Sequence, residues 1–236
     1  MATDYLERGA MAGVAGGLVY GLFVATVGNA FTAGLETFEH SHGGGGPVVS
    51  ELTTTVASIG GGVLWGLLFG VAAFGMVYFF LEPAIPGSGA TKRLALAGAG
   101  FLTVSGAPWL VLPPQPPGVE QALGTETRLA WYAGLMALGA LVAVLAGLAY
   151  QRTDHHHTAV RLGAMALPLA LLAVPVMFAP ANPVHGDVPA ALVAAYRWTV
   201  VFGQLVLWAT IAGVHAWLGD SDTPATDDLD YPATAD

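Results

Sequence analysis

Residues 9–35, GAMAGVAGGLVYGLFVATVGNAFTAGL, form an apolar run without a charged residue. A transmembrane helix needs about 20 such residues, because it must cross a hydrocarbon layer about 30 Å thick. The run is longer than the apolar core of a signal peptide, and the residues before it carry Asp4 and Glu7 against one arginine. It therefore predicts a retained first membrane helix.

The rest of the chain repeats this pattern. Of its 236 residues, 55% are hydrophobic and 10% are charged, whereas a soluble domain has about 25% charged residues. Further apolar runs lie at about 52–81, 94–112, 129–150, 160–178 and 190–218. We predict an all-α, polytopic integral membrane protein with about six transmembrane helices in residues 1–218. Residues 219–236 are predicted to be a disordered acidic tail.

Small residues recur at helical spacing in the first two runs. They are Gly13, Gly17 and Gly21 in the first run, and Gly62, Gly66 and Gly70 in the second. Small residues at this spacing let membrane helices approach closely. The pattern predicts tight packing of both helices.

Several classes of protein are excluded or disfavoured by what the sequence lacks. It contains no cysteine and therefore neither disulfides nor thiolate metal sites. It has no phosphate-binding loop, no His-Glu-x-x-His zinc motif and no Gly-x-Ser-x-Gly elbow. With 7 basic against 16 acidic residues, it offers no basic patch for nucleic acid. We therefore expect neither an enzyme nor a bound cofactor.

The basic residues predict an orientation in the membrane. If the N-terminus is cytoplasmic, two arginines, Arg128 and Arg197, face outwards, and five basic residues face inwards. The inward set is Arg8, Lys92, Arg93, Arg152 and Arg161. Since cytoplasmic loops carry an excess of Lys and Arg, both termini are predicted to be cytoplasmic in a multi-pass protein of the cell membrane.

Potential metal ligands gather where the first run ends. Glu36, Glu39, His40 and His42 lie within seven residues and precede four glycines. Carboxylate oxygen and imidazole nitrogen are common ligands of divalent transition metals. On a continued helix Glu36 and His40 would share a face, because they are four residues apart. We interpret the cluster as an outward-facing metal site, the alternative being a hydrated cap without an ion.

Two other histidine-containing segments are weaker candidates. His185 and Asp187 lie in a proline- and glycine-rich turn that is predicted to be outside, where they could join the first cluster if the first and last helices are neighbours. His155, His156 and His157 fall on the inside. They could receive an ion or simply be a basic loop, and their role stays open.

Three motifs together resemble the CbtA family of predicted cobalt transporter subunits. They are Glu36-x-x-Glu39-His40-x-His42, then Gly106-Ala107-Pro108 leading into Leu112-Pro113-Pro114-Gln115-Pro116-Pro117-Gly118, and finally Pro183-x-His185-Gly186-Asp187-x-Pro189. The resemblance extends over roughly residues 9–217. It implies a subunit for cobalt uptake linked to cobalamin synthesis, and a small histidine-bearing membrane partner, CbtB.

The sequence thus predicts a protein that helps divalent cobalt enter the cell. The expected metal-binding residues are Glu36, Glu39, His40, His42, His185 and Asp187. After capture, the ion would pass between the glycine-lined helices. The mixed nitrogen and oxygen ligands also suit Ni²⁺ and Zn²⁺, so cobalt is specified by the resemblance alone. The alternative is a membrane scaffold or metal sensor that regulates a partner without transporting.

Overall fold

The computed structural model describes residues 2–39, 50–116, 119–185 and 188–221. Within them, helical segments occupy all six of the expected regions. We number these α1 to α6 in chain order.

The first three segments each contain a π-helical stretch. The segment α1 consists of Ala2–Phe23, the π-helical Val24–Gly28 and Asn29–Glu39. The segment α2 consists of Glu51–Phe69, the π-helical Gly70–Val77 and Tyr78–Leu81. The segment α3 consists of Gly89–Phe101, the π-helical Leu102–Gly106 and Ala107–Trp109. A π-helical turn lets backbone carbonyls leave the regular ladder, and such turns are frequent at functional sites.

The last three segments are α4 at Thr125–Arg152, α5 and α6 at Ala190–Ser221. The segment α5 consists of Thr158–Ala166, the 3-10 helical Leu167–Leu172 and Ala173–Phe178. Pro168 stands at the start of the tightened part, where its missing N–H cannot continue an α-helix. The expected helices are therefore confirmed, most of them with ends a few residues beyond those predicted.

Five of the six segments are long and apolar enough to cross a membrane. The exception is α3, which begins with Lys92 and Arg93 in its first turns and reaches only to Trp109, short of the predicted residue 112. This segment packs between α6 and α4, so its neighbours on both sides are protein helices. Arg93, in its first turns, is thus buried by protein.

The predicted glycine ladders pack against each other. A Cβ atom added to Gly17 would lie 2.5 Å from the carbonyl oxygen of Gly62, and one added to Gly66 would meet the backbone of Gly13 and Gly17. Because no side chain fits between them, the backbones of α1 and α2 are in direct contact. In this conformation the glycine-lined faces are closed and do not provide the expected passage for an ion.

The segments are arranged in the order α2, α1, α6, α3, α4, α5, with each packing on the next. The main core lies where the first four meet. Its fully buried side chains include Phe74 of α2 and Leu207 and Ile211 of α6. A smaller cluster of Ala107, Val142 and Leu172 joins α3, α4 and α5.

The bundle has two ends, which we call the N-terminal end, where α1 begins and α6 finishes, and the opposite end, where α1 finishes and α6 begins. At the opposite end, two short strands pair antiparallel: β1 (Glu120–Gln121) and β2 (Val184–His185). Their two-residue ladder connects the loop before α4 to the loop before α6.

Candidate functional site

The opposite end of the bundle carries three of the residues predicted to bind metal, namely Glu36, Glu39 and His185. The backbone of α1 remains helical through Glu39, so Glu36 and Glu39 lie on a continuous helix, as expected. His40, His42 and Asp187 lie outside the described residues.

Aromatic contacts show that the end of α1 and the start of α6 are neighbours. The rings of Phe31 and Tyr196 are 6.2 Å apart, and those of Phe23 and Phe202 are 5.6 Å apart. At about 1.5 Å per residue, Glu36 is about 8 Å beyond Phe31, and Ala190 is about 9 Å beyond Tyr196 in the same direction. The first and last helices are therefore neighbours, which was the condition for the two predicted ligand segments to meet.

The β-ladder adds a carboxylate that the sequence analysis missed. Glu120 is the register partner of His185, and Gln121 is the partner of Val184. Residues directly opposite in an antiparallel pair have Cβ atoms about 4.5–5.5 Å apart. No local motif marks Glu120, since it becomes relevant only through a pairing of residues distant in sequence.

Hydrogen bonds reinforce this pairing of loops. The Asn182 side chain donates from Nδ2 to Gln121 Oε1 over 3.0 Å, and its Oδ1 accepts from the Leu123 N–H over 3.1 Å. One amide therefore fixes the loop before α6 to the loop before α4.

Arg197 anchors the proline-rich loop beside the ladder. Its Nε donates to the Pro114 carbonyl over 3.2 Å, and its Nη2 donates to Gln115 Oε1 over 3.0 Å. The arginine is on α6, and the loop follows α3. The opposite end is thus assembled from α1, α6 and two loops.

A complete metal cluster is not part of the described structure. Among the residues that it covers, no three of His, Asp and Glu are close enough to hold one ion. His155, His156 and His157 are exposed between α4 and α5, at the N-terminal end. They are therefore remote from the segment containing Glu36.

The N-terminal end contains a buried polar cluster that the sequence analysis did not identify. Arg93 of α3 is 7% exposed, and its Nε donates to His215 Nδ1 of α6 over 3.2 Å. Nearby, Glu82 accepts hydrogen bonds from the hydroxyls of Tyr5 and Tyr78. The available signal was His215, within the last apolar run, and Arg93, directly before the third apolar run. Their pairing required the contact between α3 and α6.

Large apolar side chains cover the outside of the bundle. Phe80, Leu167 and Phe178 are each at least 74% exposed, and water-soluble proteins rarely display such surface in quantity. Together with five helices able to span a bilayer, this surface defines an all-α, multi-pass membrane protein.

The chain belongs to the CbtA family, described as "probable cobalt transporter subunit", whose sequence model matches residues 2–220. Searches among curated proteins and among solved structures found no match. Membership of this family implies a membrane subunit of a cobalt transporter. As a subunit it works with other chains and carries a metal ion, and subunits of this kind are in general not enzymes.

Proposed function

We propose that this chain captures divalent cobalt at the opposite end of the bundle and passes it into the cell. The ligands are Glu36, Glu39, His40 and His42, with His185 and Asp187 as a second arm. The packing of Phe31 on Tyr196 is the observation that supports this arrangement, because it makes the end of α1 and the start of α6 neighbours.

Coordination chemistry supports these residues as a capture site. Imidazole nitrogen and carboxylate oxygen together suit Co²⁺, and they would also accept Ni²⁺ and Zn²⁺. Glu120 is a candidate additional ligand, given its register opposite His185. The ion is the cargo of the protein, and no resident cofactor is required.

The direction of transport follows from the proposed orientation. With both termini in the cytoplasm, the opposite end faces outwards and meets the ion first. The histidines at 155–157 then lie on the cytoplasmic side, where they could accept the ion after passage. A small histidine-bearing membrane protein similar to CbtB would be the partner, in a pathway that supplies cobalt for cobalamin.

The first test is cobalt uptake by cells that carry Glu39→Ala/His40→Ala. Loss of residues that only support a metal ligand lowers affinity about 10- to 100-fold, so loss of two ligands should reduce uptake at low cobalt concentration by at least about tenfold. Uptake of radioactive cobalt is compared with the wild type at equal amounts of protein in the membrane.

Glu126→Ala is the matched control, because it removes an exposed carboxylate from the first turn of α4 at the same end. It should leave uptake unchanged. Wild-type uptake by Glu39→Ala/His40→Ala, when that variant is fully inserted, would exclude the capture role. A scaffold or metal sensor without transport would then be the better interpretation.

A further inference from the structure

Arg93 is a buried cation at the N-terminal end of the bundle. It stands in the first turns of α3, with 7% of its surface exposed. A guanidinium group stays charged at any physiological pH, and burial of a charge is costly unless it is paired. The groups that contact Arg93 therefore indicate which kind of ligand this location can bind.

The first partner is His215 of α6, which is fully buried. Because its Nδ1 accepts the hydrogen bond from Arg93 Nε, the proton of the neutral ring is on Nε2. Among the described residues, Nε2 has no hydrogen-bond partner of good geometry. The ring is held by Phe74 and Tyr78, whose centroids are 5.5 and 5.3 Å away. Nδ1 is thus a fixed electron-pair donor that points at a cation.

The second partner is Asp220 of α6, whose Oδ1 is 3.8 Å from Arg93 Nη1. Its side chain is 72% exposed, so this side of the cluster opens to the surface. On the other side, the Arg93 guanidinium lies 5.7 Å from the centroid of the Tyr78 ring. The Tyr78 hydroxyl donates to Glu82 Oε1 over 3.1 Å. Arg93 thus lies between an imidazole nitrogen, one carboxylate and an aromatic face, and Glu82 accepts a hydrogen bond from the hydroxyl of that aromatic residue.

We propose that His215 and Asp220 supply the two protein ligands of a second divalent-cation site, which Arg93 occupies in this conformation as a tethered cation. Imidazole nitrogen and carboxylate oxygen are ligands for divalent transition metals. Since His215 Nδ1 carries no proton, an ion could replace the guanidinium without displacing a proton from the ring. Arg93 thus closes the N-terminal end and must swing away before an ion can leave through it.

The packing around Gly219 shows how closely Arg93 is fitted. A Cβ atom added to Gly219 would collide with Nη2 of Arg93. The colliding atoms are at the end of a flexible side chain, so Gly219→Ala would displace the guanidinium and leave the backbone in place. Gly213, on the same helix, has nothing within 4 Å of an added Cβ atom, so Gly213→Ala is the matched control.

The test is Co²⁺ binding to the full chain, purified in detergent without a histidine tag. Equilibrium dialysis counts the bound ions per chain, and the visible spectrum of Co²⁺ reports nitrogen coordination. Arg93→Gln should bind one Co²⁺ more than the wild type. Gly219→Ala should bind the additional ion more weakly than Arg93→Gln, and Gly213→Ala should match the wild type.

The double variant Arg93→Gln/His215→Phe should return to the wild-type number of ions. The inference is overturned if Arg93→Gln and Gly219→Ala are folded and bind no additional Co²⁺, or if the additional ion persists without His215. If Arg93→Gln does not fold, Gly219→Ala against Gly213→Ala decides the question in the same way.

The role of this site as the exit for the captured ion rests on the proposed function, but the Co²⁺-binding test does not require transport. Normal uptake by Glu39→Ala/His40→Ala would disprove the capture site, but it would not affect the number of Co²⁺ ions that the Arg93 variants bind. Conversely, if the Arg93 variants bind the wild-type number of Co²⁺ ions, the second site is disproved and the uptake result still stands.

Discussion

Arg197 shows how a single side chain can organise the end of the bundle that carries the proposed capture site. Its guanidinium bonds to Pro114 and Gln115 in the loop after α3. Hydrogen bonds to a charged group contribute about 1.5–3 kcal/mol. Since this loop connects α3 to α4 but is bonded to Arg197 of α6, the contact helps to fix its position.

Arg197→Gln should therefore loosen the loop while leaving the bundle folded. We expect amide hydrogen exchange in residues 110–116 and 119–124 to become about 10- to 100-fold faster, which is the factor that about 1.5–3 kcal/mol represents. Hydrogen exchange followed by mass spectrometry measures this effect. Arg128→Gln is the control, because that guanidinium donates to Thr125 within its own helix. Equal exchange rates in the two variants would contradict the anchoring role.

The metal-ligand candidates and the buried cluster differ in how visible they are in the sequence. Glu36, Glu39, His40 and His42 form a local motif, because they lie within seven residues of one another in the chain. Glu120, Arg93 and His215 are single residues, each distant in sequence from its partner. Only the ladder between β1 and β2, and the contact of α3 with α6, show that they belong to polar clusters.

At the level of elements, glycine faces determine how α1 meets α2. The Gly-x-x-x-Gly spacing predicted close contact, and the structure confirms it by pairing Gly17 with Gly62. Composition could not specify the partner, because any helix with a small-residue face satisfies the same pattern. The choice between neighbours depends on how the side chains around the glycines fit together.

Gly66→Ala should weaken this interface. Its Cβ atom would meet the backbone of α1, so the helices must move apart, and overpacking of this kind costs about 1–3 kcal/mol. Gly60→Ala, on the same helix, meets nothing within 4 Å and should be neutral or slightly stabilising. Unfolding by SDS titration in mixed micelles compares the two free energies of unfolding. Equal destabilisation by both would disprove backbone contact at Gly66.

The segment α3 shows where hydropathy is a poor guide to an element. The sequence predicted a membrane helix at 94–112, and the helix is present at Gly89–Trp109, but Lys92 and Arg93 in its first turns lower its hydropathy. Arg93 at its start is stabilised by contacts with α2 and α6, not by lipid or water. Neighbouring helices supply this stabilisation, and the hydropathy of the isolated segment does not include it.

For the whole molecule, the arrangement separates two polar ends by an apolar bundle. Glu36, Glu39 and His185 are at one end, and Arg93, His215 and the loop of His155, His156 and His157 are at the other. The proposed entrance and the proposed exit both lie on the pair of helices α1 and α6 with their neighbours.

Labelling of single cysteines tests the proposed orientation directly, since the chain contains no cysteine of its own. Glu126→Cys, at the opposite end, should react with a membrane-impermeant maleimide added to intact cells. Asp154→Cys, at the N-terminal end, should react only after the membrane is permeabilised. Both side chains are exposed, so access to each is controlled by the membrane alone. The reverse pattern would place the Glu36 segment in the cytoplasm and rule out capture from outside.

The sequence by itself determined the class of protein, the regions of the helices and the local ligand motif at Glu36 to His42. These features depend on apolar length and on residues close in the chain, and both can be read without knowing which helices touch. The tertiary structure decided the order of the helices, the closure of the glycine faces, the pairing of Glu120 with His185 and the burial of Arg93 against His215. Each of these depends on contacts between distant segments, which arise only when the helices have packed against one another.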